Sequence, residues 1–208
     1  MHEESLTKNT KSVLEAIGLL SISKDFYLAG GTALAIHLGH RFSVDLDWFS
    51  EKFDYGPSFR SELGKIGKLE IDSESKDTFN GVLNGVKVSF FRYPYPLISS
   101  KIKYKDNIFI AGIPDIAAMK MEAIGSRGSY KDFIDIYFIL KQYSLEEVFR
   151  FVEKKFANID YNKTHLLKSL IYFDDVKNSV FPEMLKEVSW KEITDEIKRK
   201  ARICLNNL

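Results

Sequence analysis

FYLAGGTALAIHLGHRFSVDLDWFS, residues 26–50, joins a short apolar run, a Gly-Gly-Thr turn and two alternating acids. Phe26 to Ala29 suits a short buried strand. Gly30 and Gly31 can take positive φ or close-approach conformations that a residue with a Cβ resists. Thr32 suits a helix N-cap, and Ala33, Leu34, Ala35, Ile36 and Leu38 continue as a short helix. The turn would therefore aim backbone N–H groups at an anion, of which a triphosphate is the obvious one. Val44 to Phe49 then alternates, which predicts a strand with Asp45 and Asp47 on one face and Val44, Leu46 and Trp48 on the other. Two carboxylates so placed need neutralising. Mg2+, commonly held by one or two carboxylates plus substrate phosphates, suits both halves of the stretch. Two acids merely solvated on a strand face would explain Asp-x-Asp alone, but not the glycine turn shortly before it.

Gly30-Gly31-Thr32-Ala33-Leu34 followed by Arg41-Phe42-Ser43-Val44-Asp45-Leu46-Asp47-Trp48-Phe49 closely resembles the opening motif of the AbiEii-type nucleotidyltransferases, a branch of the polymerase-beta superfamily. The resemblance implies that Gly30, Gly31 and Thr32 hold a nucleoside triphosphate (NTP) and that Asp45 and Asp47 hold Mg2+. It also favours site roles for Arg41, just ahead of the acids, and for Ser43. Further on, Lys120-x-x-Ala123-x-x-x-Arg127-x-x-x-Lys131-Asp132-x-x-Asp135 resembles the second signature of the same family. By that resemblance Lys120 and Arg127 belong to the nucleotide site, and Asp132 or Asp135 completes it. Spacing alone reads differently: Lys120 and Arg127 edge an apolar helix stripe, where cations commonly snorkel, and acids in a first turn suit the helix dipole.

The chain has 208 residues, enough for a small α/β domain with a helical appendage. We place a nucleotidyltransferase core at 1–112 and a helical domain completing the site at 113–208. The expected fold class is α/β (α+β), a small mixed sheet with a C-terminal helical bundle. At 45% hydrophobic and 28% charged, the composition excludes wholesale disorder. A charged N-terminus without an apolar stretch, no membrane-length apolar run and a single cysteine, Cys204, point to the cytoplasm and away from membranes and disulfides. A net charge of +1 announces no nucleic-acid partner. Lys101, Lys103 and Lys105, and Lys198 to Lys200 with Arg202, could touch RNA backbone, though a solvated face accounts for both clusters.

Helices are expected from Ser5 to Leu20 and from Ser58 to Ile66. Strands are expected over 69–73, 78–83, 86–91 and 108–110, with Asn84-Gly85 as a hairpin turn. In the wider superfamily a third carboxylate often comes from a strand near 86–91. Here Ser89 stands mid-strand, and the nearest acids are Asp72 and Asp77. Tyr93 and Tyr95 lie in a Pro-spaced loop that leaves the sheet and either packs over its edge or stacks on bases. Pro114 opens a helix to about Ser126 with Ile116, Met119, Ala123 and Ile124 on its apolar face, and Lys131 starts the next. Helices at 144–156, near 163–172 and at 190–205 follow.

The expected activity is metal-dependent transfer of a nucleoside monophosphate from an NTP to a hydroxyl, with RNA or tRNA as acceptor and a cognate antitoxin as partner by resemblance. A degenerate module that binds nucleotide or a partner without turnover is the alternative suggested by Ser89. A glycosyltransferase would also use Asp-x-Asp, but lacks reason for the glycine turn and the Lys120–Asp135 signature.

Overall fold

The computed structural model describes residues 1–53, 56–159 and 161–206. Seven strands form one mixed sheet: β1 (Tyr27–Leu28), β2 (Leu46–Ser50), β3 (Leu69–Ser75), β4 (Thr78–Leu83), β5 (Val86–Arg92), β6 (Ile102–Lys105) and β7 (Ile108–Ile110), in the order β3-β4-β5-β2-β1-β7-β6. The β3-β4-β5 meander is antiparallel throughout, and its second turn has Asn84 and Gly85 both at positive φ, 49° and 80°, as a tight two-residue hairpin requires. β5 pairs parallel with β2, β2 antiparallel with β1, and β1 parallel with β7.

The helices are α1 (Lys8–Gly18), α2 (Gly30–Leu38), α3 (Pro57–Gly64), α4 (Ile113–Arg127), α5 (Tyr130–Ile139), α6 (Leu145–Lys155), α7 (Lys163–Leu170) and α8 (Trp190–Asn206). α1 is capped by the Thr7 hydroxyl, which accepts from the Thr10 N–H. One cluster of buried side chains runs through sheet and helices alike, from Leu14 and Trp48 to Ile136 and Ile197. On β2 the apolar alternation does what the pattern demands: Leu46 and Trp48 are buried, and Trp48 stacks on Phe90 of β5 at 6.0 Å between ring centroids. No described helix is long and apolar enough to cross a membrane.

Several local expectations need correcting. β2 begins at Leu46, so Asp45 lies just ahead of the strand rather than within it. α2 begins at Gly30 with Ala29 as N-cap, so Thr32 is inside the first turn and its hydroxyl serves another purpose. α4 buries Ala117, Ala118, Lys120 and Met121 besides Ile116 and Ile124, because it is covered by α2, α5, α6 and α7 and so has no fully polar face. Lys101 to Lys105, read as a basic cluster, contains strand β6. Its lysines are met locally: Lys103 pairs with Asp106, and Lys105 with Glu3 and Glu15. Likewise Arg199 pairs with Glu196, and Lys200 donates to the Leu140 carbonyl.

A fully buried ion pair moors the Pro-spaced loop. Lys155 Nζ lies 2.8 Å from Asp115 Oδ1, and Asp115 also accepts from the Ile98 N–H at 2.8 Å and the Ser99 N–H at 3.3 Å. The same ammonium stands 5.3 Å from the Tyr93 ring centre, which ties that ring to α4 and α6.

Candidate active site

Three strands lay a polar row across one face of the sheet. Asp47 on β2 pairs with Ser89 on β5, and Ser89 pairs with Asn80 on β4, so the three side chains share a face by register. Burial, and then repulsion from Asp45, pushes the Asp47 carboxyl above its ordinary range; Lys120, Lys87 and the Ser89 hydroxyl offset this in part. Lys131 Nζ stands 3.5 Å from Asp45 Oδ2.

The start of α2 faces these acids. Gly30 has a φ of 64°, and a Cβ on it would stand 3.0 Å from Asp47 Oδ2, so both conformation and space call for glycine. Gly31 packs on the Arg41 guanidinium so closely that a Cβ would overlap Nη2. Thr32 donates to the Asp45 carbonyl and takes a hydrogen bond from the Ser43 hydroxyl at 2.7 Å. The Thr32 hydroxyl therefore stitches the glycine turn to the segment carrying the first acid.

Beneath the turn lies a buried ion cluster. Arg41 grips Asp135 with two bonds, Nε to Oδ1 at 2.7 Å and Nη2 to Oδ2 at 2.9 Å. Lys120 Nζ reaches Asp135 Oδ2 at 2.7 Å and Asp132 Oδ1 at 2.9 Å, and His40 Nε2 reaches Asp135 Oδ1 at 2.8 Å. Burial alone would raise the Asp135 carboxyl, but the Arg41 guanidinium and Lys120 ammonium outweigh it and hold the group well below the usual carboxylate range. Burial pushes the His40 imidazole down, so neutral His40 can donate from Nε2. Asp132 also accepts from the Ser129 N–H and hydroxyl, closing a capping box on α5.

One cleft of about 300 Å3 gathers Gly31, Thr32, Arg41, Ser43, Asp45, Asp47, Lys120, Arg127 and Asp132, with Lys131 and Lys87 at its wall. Gly30 lines an adjoining branch that shares Gly31, Asp47 and Lys120 with it. Asp135, one of two acids expected to complete the site, is not on the lining; both of its oxygens are consumed by the ion cluster below. Lys120 uses two of its three N–H donors on Asp132 and Asp135, leaving one for a ligand in the cleft. Among the described residues no group of three or more His, Cys, Asp or Glu could hold a metal by itself. Two acids beside a helix N-terminus instead suit a cation that arrives together with an anion such as a phosphate. Such an arrangement can bind a triphosphate, concentrate positive charge around it and leave carboxylates to orient a metal.

Residues 12–202 match the protein family described as "Nucleotidyl transferase AbiEii toxin, Type IV TA system". The chain belongs to that family. It is 42% identical, over 97% of its own length and 98% of the other's, to an uncharacterized protein of Aquifex aeolicus (strain VF5). Two solved structures share the fold of this AbiEii-family chain. MenT4, the nucleotidyltransferase toxin Rv2826c from Mycobacterium tuberculosis H37Rv, has a TM-score of 0.61 at 12% identity, covering 97% of this chain and 86% of that one. JHP933 from Helicobacter pylori has a TM-score of 0.56 at 15% identity, covering 100% and 91%.

Within this AbiEii-family fold, several site residues had no signal in the linear sequence. His40 stands next to Arg41, yet its partner is 95 positions away. The loop carrying Arg41 is held from the far C-terminal side: the Phe42 N–H donates to the Glu183 carbonyl, and the Leu185 and Lys186 N–H groups donate to that of His40. Asn80 and Lys87 reach the cleft only through strand register. Asp72 and Asp77 remain exposed, Asp77 opposite Arg92 at 3.6 Å, and neither lines the cleft. Gly31→Ala tests the packing of the turn. The methyl group must displace the Arg41 guanidinium, so a loss of about 1–3 kcal/mol and a Tm lower by several degrees are expected on thermal melting. An unchanged Tm would show that Arg41 is free to move.

Proposed function

We propose that this protein transfers a nucleoside monophosphate from an NTP to a hydroxyl of an RNA acceptor, tRNA among them, as the toxin of a toxin–antitoxin pair. The observation that carries the reading is the convergence of the Gly30-Gly31-Thr32 turn, Asp45 with Asp47, and Lys120 with Asp132 on one cleft in an AbiEii-family chain. In this reading the first N–H groups of α2 and the free Lys120 N–H hold the triphosphate, while Arg41 braces the turn from beneath. Arg127 at the cleft wall adds charge for the leaving pyrophosphate. Asp45 and Asp47 would hold Mg2+, which would supply positive charge to offset that of the triphosphate and of the transition state.

Ser89 is too weak a base to take the proton of the attacking hydroxyl, and Asp135 is locked in its ion cluster. Asp132 lines the cleft and, with Lys120 on Oδ1 and the two Ser129 donors on Oδ2, keeps one acceptor position open where Asp135 keeps none, so it is the carboxylate left to do so. Incubation with each radiolabelled NTP, Mg2+ and total RNA should yield labelled RNA, and EDTA should abolish it. Asp132→Asn is expected to slow that transfer by roughly 10²–10⁴-fold, the range of a lost general base. Labelled nucleotide bound without transfer, under every NTP and acceptor tried, would instead favour the binding-module reading that Ser89 beside Asp47 allows.

A further inference from the structure

The polar cleft continues into a second branch of about 360 Å3 whose character differs. One wall is aromatic: Phe49 and Phe91 lie 5.2 Å apart between ring centroids, and Phe49 and Tyr93 lie 5.3 Å apart. All three rings are half-buried, so their edges and faces remain partly open to the branch. The facing wall comes from α4, with Met119 and Ala123 one turn apart. Exposed Glu122 stands where this slot meets a third, largely apolar cavity, sharing Tyr93 and Glu122 with it. Tyr93 and Glu122 line both cavities together, and after burial the Glu122 charge is the largest influence raising the Tyr93 phenol.

An NTP has one highly charged end and one planar, weakly polar end. The two branches share Gly31, Asp47, Phe91, Lys120, Arg127 and Asp132, so the phosphates suit that shared charged part; the planar base suits the end that only the second branch has, where Phe49, Tyr93 and Met119 stand with Glu122 and Arg92. Tyr93 is well suited to a fixed platform, since Lys155 holds its ring and the buried Lys155–Asp115 pair holds Lys155. A carboxylate only accepts hydrogen bonds. It therefore favours an edge that presents an amino group, as in cytosine, adenine or guanine, over uracil, whose single N–H lies between two carbonyl oxygens.

We infer that the slot between the Phe49–Phe91–Tyr93 wall and α4 is the nucleobase subsite for the incoming triphosphate, and that Glu122 selects bases carrying an exocyclic amino group against uracil. The inference rests on the nucleotidyltransferase reading and names the specificity element of that same site.

Titration of the wild-type protein with the non-hydrolysable α,β-methylene analogues of the four triphosphates, in magnesium, tests it. The uridine analogue should bind about tenfold more weakly than the best amino-bearing analogue, the difference one charged hydrogen bond makes. Glu122→Gln, at an exposed position that leaves the fold untouched, should erase that difference, because an amide can donate as well as accept. Tyr93→Leu should weaken all four about tenfold through lost stacking. Equal binding of uridine and amino-bearing analogues by the wild type, or discrimination that survives Glu122→Gln, overturns the inference. If Glu122→Gln instead leaves triphosphate binding intact and raises KM for the RNA acceptor, the slot holds an acceptor base and the assignment also falls. Failure of the wild type to bind any of the four would be a different result, overturning the nucleotidyltransferase reading itself.

Discussion

Asp47→Asn is expected to abolish nucleotide transfer and, in the absence of magnesium at pH 7, to melt at a higher temperature than the wild type. Burial and the neighbouring Asp45 raise the Asp47 carboxyl in the folded protein. A raised carboxyl binds its proton more tightly when folded than when unfolded. The stabilisation this contributes is present below the unfolded value near 4 and is lost as pH rises through the folded value, so ionised Asp47 leaves the folded state worse off at pH 7. Asparagine keeps the shape and removes the charge. The advantage of the variant should therefore shrink as pH falls and the Asp47 carboxyl takes up its proton, since protonated aspartic acid and asparagine are both neutral. Magnesium should stabilise the wild type and not the variant. Because metal neutralisation contributes several kcal/mol at the transition state, the rate should fall on the order of a thousandfold or more. A variant that keeps transfer within tenfold of wild type would remove Asp47 from the metal site.

Asp135→Asn should act on the fold before it acts on chemistry. The wild-type carboxylate satisfies Arg41 through two bonds, Lys120 through a third and His40 through a fourth, with almost no solvent access to any of them. Removing its charge leaves Arg41 buried and unpaired, and leaves Lys120 with Asp132 alone. Breaking one partner of a buried pair costs about 3–5 kcal/mol, so a Tm lower by roughly 10 °C is expected. The depressed carboxyl also carries a pH signature. Its contribution is fully present above the unfolded value near 4 and is lost only as pH falls through a folded value well below 3.8. Wild-type and variant melting curves should accordingly diverge at neutral pH and approach one another only under strongly acid conditions. Asp132→Asn, by contrast, leaves the Arg41–Asp135 grip intact and should lose transfer with a smaller drop in Tm. Were Asp135→Asn to melt like wild type while losing all transfer, Asp135 would be a reacting group rather than the brace beneath one.

Residues 26–50 by themselves determined much of this protein. Gly30-Gly31 before a helix and Asp45-x-Asp47 around β2 are short-range patterns, set by what a backbone turn and a strand period allow. For the same reason the Asn84-Gly85 hairpin and the Pro114 helix start were legible, as was the absence of an acid at Ser89. Local rules left out β6, whose lysines do lie on a solvated face as the alternation suggests, because pairing with β7 is what makes that segment a strand. They failed again at Thr32, whose hydroxyl reaches across to Asp45 and Ser43 instead of capping its own helix. Which of Asp132 and Asp135 takes all the partners of the ion cluster could not be read from their spacing on α5. Both sit on one helix face, and which is the buried anchor depends on where Arg41, from a loop clamped by residues 183–186, and Lys120, from α4, bring their charges. Only the packed structure decided it, since an ion pair's role is fixed by the burial and partners that distant segments supply, and sequence separation carries no information about either.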